Sequence, residues 1–188
     1  TDTTPPIGTL TVAPPADLRF HADFADHTLQ SIGQGYPEID STPAFSAGRG
    51  DRALQLNGAG VAYPTTGNLT PTAGTIALWA ELPERYPVNS LQRHYLFAAS
   101  ANADGAPLYA GTLALRRDML GPDATPQWSF WTNGPDMASR DLLAVPDTLK
   151  PGWHHFAVTW DAATGAKTLY IDGQPAASTS GATLPSDV

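Results

Sequence analysis

Three glutamates, fifteen aspartates and five histidines are the side chains of this sequence that could move protons or hold a cation, and their spacing sets which chemistry each can support. Cleaving a glycosidic bond takes two carboxylates about 5–10 Å apart, which a β-strand supplies through alternating acids on one face. Glu38, Glu81 and Glu84 are the only glutamates, and Glu81-Leu82-Pro83-Glu84 puts a proline where the alternation should continue. The expectation for Glu81 and Glu84 is a solvated pair at the end of a strand. His154 and His155 are adjacent, so regular strand geometry points them to opposite sides and they cannot grip one metal together. A packed, structural histidine is expected there in preference to zinc or general-base duty. Ser, His and Asp are plentiful, but no Gly-x-Ser-x-Gly elbow presents a nucleophile. The absence of cysteine removes disulfides, thiolate catalysis and cysteine-ligated zinc or iron–sulfur centres.

The aromatic residues are the remaining candidates for a ligand surface. In Trp128-Ser129-Phe130-Trp131, Trp128 and Phe130 share one face of a strand while Ser129 and Trp131 share the other. One of those faces must be core. With this strand on a concave sheet, an outward Trp131 could stack on a sugar ring, with Tyr109, Arg116, Asn133 and Asp136 as polar neighbours. Trp79, Trp153 and Trp160 are expected inside, because sandwich interiors accept large rings readily. Arg49-Gly50-Asp51 has the form of an integrin-binding tripeptide, but ordinary turn chemistry accounts for it. Asn68-Leu69-Thr70 matches a glycosylation sequon by pattern alone.

These side chains need a scaffold, and the sequence offers one made of short strands. Leu18–Phe24 places Leu18, Phe20, Ala22 and Phe24 on one face and Arg19, His21 and Asp23 on the other, which predicts a half-buried strand. Similar runs follow at Ala53–Leu56, Val61–Tyr63, Gly74–Glu81, Tyr95–Ser100, Leu108–Arg116, Gln127–Thr132, His154–Trp160 and Lys167–Ile171. Turn residues divide them, among them Asn102-Ala103-Asp104-Gly105, Asn133-Gly134-Pro135 and Asp172-Gly173. The last of these suits a tight hairpin, since glycine tolerates positive φ. Ala25–Ser31 and Asp136–Leu143 read as marginal helical turns. The pattern predicts an all-β fold, a two-sheet antiparallel jelly-roll sandwich. Phe20, Leu54, Leu56, Ile76, Leu78, Phe156, Val158, Leu169 and Ile171 are its expected core or sheet-interface residues. Residues 1–16, rich in Thr and Pro, read as an extended N-terminal linker, leaving 17–188 for one domain.

Ten basic residues stand against 18 acidic ones, for a net charge of −8, and apart from Arg116-Arg117 the basic ones are scattered. A basic patch for nucleic acid or an anionic membrane therefore has no support. Apolar runs such as Ile76–Ala80 fall far short of the ~20 residues of a membrane-spanning helix.

Three segments, in order, carry a family likeness: Gly50-Asp51-Arg52-Ala53-Leu54-Gln55-Leu56-Asn57-Gly58, then Gly74-Thr75-Ile76-Ala77-Leu78-Trp79-Ala80, then Gly152-Trp153-His154-His155-Phe156-Ala157-Val158-Thr159-Trp160-Asp161 leading to Leu169-Tyr170-Ile171-Asp172-Gly173. With Leu18–Phe24 as the opening strand, residues 17–178 resemble the laminin-G-like, concanavalin A-like jelly-roll family that includes pentraxin-type domains. The resemblance implies one structural calcium ion, with Asp23, Asp26, Asp51 and Asn57 in the matching segments as candidate oxygen ligands. It also implies a closing strand beside the first one, whereas this sequence stops at Val188. The expectation is that a downstream segment or a second polypeptide completes the sandwich beside Leu18–Phe24. A fold does not carry a function with it. The leading expectation is a non-catalytic carbohydrate-binding or accessory module of a larger exported bacterial protein, secreted or periplasmic, whose parent is a candidate polysaccharide-active enzyme. The alternative is a structural or interaction domain that packs against another domain or subunit without a small ligand.

Overall fold

Residues 73–82 and 152–161 alternate side chains at the period of a pleated strand. In a computed structural model they pair antiparallel over their whole length, Ala73 opposite Asp161 and Leu82 opposite Gly152. The structure describes residues 18–24, 29, 33, 35, 37–39, 44–49, 52–55, 60–84, 86, 93–100, 112–118, 125–134 and 140–185. In chain order the strands are β1 (Glu38–Ile39), β2 (Ala44–Ala47), β3 (Arg52–Gln55), β4 (Val61–Ala62), β5 (Ala73–Leu82), β6 (His94–Ala99), β7 (Leu113–Asp118), β8 (Gln127–Asn133), β9 (Arg140–Pro146), β10 (Gly152–Asp161), β11 (Ala166–Ile171) and β12 (Gln174–Thr179). There is no helix among the described residues.

Two four-stranded antiparallel sheets form the body of the protein. Sheet one has the order β12-β11-β10-β5 and sheet two the order β6-β7-β8-β9, and the pairs β1–β4 and β2–β3 form two smaller ladders. The inner faces meet through Phe156, Val158, Trp160 and Leu169 of sheet one and Leu113, Leu115, Trp128, Phe130 and Leu143 of sheet two. Ring contacts span the gap, with Trp128 and Phe156 centroids 4.6 Å apart and Phe130 and Trp160 centroids 6.5 Å apart. Truncating one such aromatic costs about 3–5 kcal/mol, so this layer supplies most of the fold's cohesion.

Polar groups are threaded into that core with partners. The Lys167 ammonium on the inner side of β11 reaches across to sheet two, donating to Thr132 Oγ1 at 3.0 Å and the Asp141 carbonyl at 3.1 Å. It also ion-pairs with Asp141 Oδ1 at 2.6 Å. Burial lowers its pKa, and the Asp141 hydrogen bond and charge oppose that shift without cancelling it. The Trp160 indole donates to the Thr70 and Pro71 carbonyls. Its ring lies so close to Gly74 that a Cβ there would sit 2.6 Å from Cζ2, so only glycine fits. Asp172 and Gly173, with φ of 50° and 77°, make the two-residue turn between β11 and β12 as their sequence predicts.

Several expectations need correction. Leu18–Phe24 is not a strand: it contains a single bridge residue at His21, and Phe24 has a φ of 58°. Its burial does alternate through Phe20, Ala22 and Phe24, but alternation reports which side is covered and does not supply a hydrogen-bonding neighbour. Trp160 is core, whereas Trp79 lies on the outer side of β5 and is 44% exposed. Residues 140–143 belong to strand β9, so the marginal helix expected over Asp136–Leu143 is not formed there. Of the expected core, Phe156, Val158 and Leu169 are fully buried, and Ile76, Leu78 and Ile171 pack partly buried against them. Leu56 and residues 1–16 lie outside the described residues.

Candidate functional site

Residues two apart on a strand share a face, and on the outer face of sheet two this rule gathers charge where water would ordinarily be. Leu113 and Leu115 of β7 point inward, which turns Ala114, Arg116 and Asp118 outward. On β8, inward Trp128 and Phe130 turn Ser129, Trp131 and Asn133 outward. The register sets Ser129 opposite Arg116 and Trp131 opposite Ala114, while Tyr95 of β6 is opposite Arg116 on the other side.

Side chains close the arrangement around Arg116. Its Nε donates to Asp118 Oδ2 at 2.8 Å and its Nη1 to the Tyr95 hydroxyl at 3.0 Å. The guanidinium carbon lies 4.2 Å from the centroid of the Trp131 ring, a stacked cation–π contact. Ser129 Oγ donates to Asp118 Oδ2 at 2.7 Å, and Trp131 Nε1 donates to Asn133 Oδ1 at 2.6 Å. Asp118, Ser129 and Asn133 have no exposed surface, and Arg116 is 5% exposed. Two buried atoms of this cluster have no hydrogen-bond partner, Arg116 Nη2 and Asp118 Oδ1. The Arg93 guanidinium lies 3.6 Å from that Asp118 oxygen, an ion pair beyond hydrogen-bond reach. A leftover donor and a leftover acceptor in one cluster are the two roles that a hydroxyl group fills, since it both gives and takes a hydrogen bond. Trp131 keeps part of its surface open, and its cross-strand neighbour Leu142 is 41% exposed.

The structure thus brings together three of the five ligand residues expected from the sequence, Trp131, Arg116 and Asn133. Tyr109 and Asp136 lie outside the described residues. Sequence reasoning missed Asp118, Ser129 and Tyr95. The spacing Arg116-x-Asp118 was a usable signal for the first, but the others join only through cross-strand register. Of the candidate calcium ligands, Asp23 is exposed, while Asp26, Asp51 and Asn57 lie outside the described residues. No group of three acidic or histidine side chains able to hold a metal occurs among the described residues.

Two further polar clusters serve structure. At one end of the sandwich Arg117 Nε donates to Asp147 Oδ2 at 2.5 Å, Trp128 Nε1 donates to Asp147 Oδ1 at 2.9 Å, and Tyr86 stacks on the Arg117 guanidinium at 3.8 Å. Burial pushes the Tyr86 phenol up to about 12; the Arg117 charge opposes this and the Asp147 charge adds to it. Burial and the Arg117 charge both lower the pKa of His94, whose ring neighbours Tyr86. His154 clamps the β11–β12 turn, its Nδ1 2.7 Å from Asp172 Oδ2 and its Nε2 2.8 Å from the Lys150 carbonyl. Both neighbours are acceptors, an arrangement that only the doubly protonated ring satisfies. Burial lowers its pKa, but the hydrogen bonds to Asp172 and Lys150 and the charges of Asp172 and Asp147 outweigh this and raise it. His155 turns outward beside Trp79, ring centroids 5.1 Å apart. The Arg49 guanidinium also covers the Trp79 ring at 3.7 Å, so the Arg-Gly-Asp arginine is engaged within the fold. Glu81 and Glu84 are both exposed, as expected of a solvated pair.

Comparison with curated proteins and with solved structures gives no match. The family model of the concanavalin A-like lectin/glucanases superfamily, a laminin-G type, matches residues 56–188. That span is more than half of the chain and takes in both four-stranded sheets, so the protein belongs to the concanavalin A-like lectin/glucanases superfamily.

Proposed function

We propose that the outer face of sheet two binds carbohydrate, with Trp131 as the stacking platform and Arg116 and Asp118 as the polar pair that reads a sugar hydroxyl. One observation carries this: a buried donor and a buried acceptor, Arg116 Nη2 and Asp118 Oδ1, lack hydrogen-bond partners in the cluster that holds a stacked tryptophan. Leaving such groups unsatisfied costs about 1–3 kcal/mol each, which a hydroxyl-bearing ligand would recover. The domain is non-catalytic in this proposal, an accessory module that places a larger exported bacterial protein on a polysaccharide. The cysteine-free composition accommodates that setting.

Affinity electrophoresis in gels containing a panel of soluble polysaccharides tests it. Retarded migration on at least one, lost in Trp131→Ala and weakened in Asp118→Asn, is the expected result. Unretarded migration of the wild type throughout the panel would refute it. A second reading, a domain that packs against another domain with no small ligand, is favoured by the complete burial of Asp118, Ser129 and Asn133. It predicts that silence, together with a large loss of stability in Asp118→Asn.

A further inference from the structure

The four edges of the two main sheets are not treated alike. β12 carries Pro175 and an extra residue, Ala176, where the pairing jumps from Leu169↔Ala177 to Tyr170↔Pro175. β6 carries a similar extra residue, Leu96, between Tyr95 and Phe97. β9 ends on Pro146, lies against β12, and has its Asp141 carbonyl occupied by Lys167. Prolines, bulges and covering contacts are the devices by which proteins blunt a sheet edge. Among the described residues β5 has none of them. Its sequence, Ala-Gly-Thr-Ile-Ala-Leu-Trp-Ala-Glu-Leu, contains neither proline nor lysine, and its register with β10 is unbroken over ten residues.

Among the described residues only β10 pairs with β5, and no backbone hydrogen bond outside the ladders involves residues 73–82. The inner row shows the same opening. Phe156 and Val158 of β10 are completely buried, whereas Ile76 and Leu78, one strand further out, remain partly exposed.

We propose that the outer edge of β5 is the docking site for an extended strand of a partner polypeptide. Alternating N–H and C=O groups along ten residues, about 33 Å at ~3.3 Å per residue, are matched in register only by another extended main chain. The chemistry of β5 describes the partner strand. Its inner side is apolar, continuing the row of Ile76, Leu78 and Ala80. Its outer side faces Thr75, Ala77, Trp79 and Glu81 and carries a basic residue toward Glu81, the only charge on β5. A second copy docking by the same edge would run antiparallel and bring no basic residue on its β5 to meet Glu81, and it would add another net −8, so the partner is a different polypeptide.

The test uses the 188-residue chain with a fluorescein-labelled ten-residue peptide that alternates Val and Thr and places one Lys opposite Glu81. Hydrogen exchange should show the outward-facing amides of β5 unprotected in the chain alone and protected once the peptide is added, with saturable anisotropy. The same peptide with a central proline should bind poorly. Glu81→Lys, at an exposed site, should weaken the Lys peptide by about two- to five-fold, as for an exposed ion pair, and favour its Glu counterpart. Three results would overturn the proposal: no protection gained at β5 with peptide, outward β5 amides already protected in a 19.8 kDa monomer, or the same amides protected in a dimer, which would make the occupant a second copy.

Discussion

The outer faces of the two sheets follow the same alternation rule and reach opposite ends. On sheet one the outward residues form plain rows, Thr75, Thr159, Thr168 and Ser178 across four strands and Ala77, Ala157 and Tyr170 beside them, with Trp79 in the open. On sheet two the outward residues Arg116, Asp118, Ser129 and Asn133 are withdrawn from water. Both inner faces contribute to one apolar core, so the hydrophobic effect does not distinguish them. A periodic pattern identifies the side that makes the core, but what the other side does is decided by whether its polar groups reach solvent or only one another.

Stability measurements can break or sharpen that contrast. Asp118→Ala removes one partner of a buried ion pair and strands the Arg116 charge, so urea unfolding should show a loss of about 3–5 kcal/mol. A loss below about 1 kcal/mol would mean that the sheet-two face is wetter than its burial implies. Lys167→Met keeps the packing stem but leaves the Thr132 hydroxyl and the Phe130 and Asp141 carbonyls without their donor; the expected loss is about 1–3 kcal/mol in the same assay. His154→Gln should show a pH-dependent gap of about 1 kcal/mol or less, since Asp172 is half exposed. The folded-state pKa of His154 is raised, so its contribution is full below about pH 6.5 and fades as pH rises through the raised value. A gap that grows above pH 7 would contradict the clamp. Trp79→Ala, on the open face, should change stability least, by roughly 0.5–1 kcal/mol from the lost Arg49 stacking.

The sandwich was legible wherever alternation and turn chemistry agreed. β5, β8, β10 and β11 fall within two residues of where the sequence places them, and the Asp172-Gly173 turn follows from its residues alone. β9 was hidden because Leu142-Leu143-Ala144-Val145 does not alternate, and a short apolar run suits helix and strand equally. β12, with Pro175 and two alanines, has little strand propensity and exists because the hairpin delivers it to β11. Trp79 misled because a large ring on a strand was assigned to the core without knowing which side of β5 faces in. Trp131, Arg116 and Asn133 could be named from the β8 pattern and neighbouring charge. Tyr95 and Ser129 could not, since their place beside Arg116 depends on the pairing of β6, β7 and β8, which no single strand encodes.

Apolar layers adhere without direction, and two such layers can creep past one another at little cost as long as contact area is kept. Lys167 changes the mechanics of this sandwich. Its ammonium leaves sheet one and is bolted to four oxygens of β8 and β9 within 3.4 Å, so any slip between the sheets must shear directional bonds. The sandwich therefore resists sliding at this end as a riveted plate does.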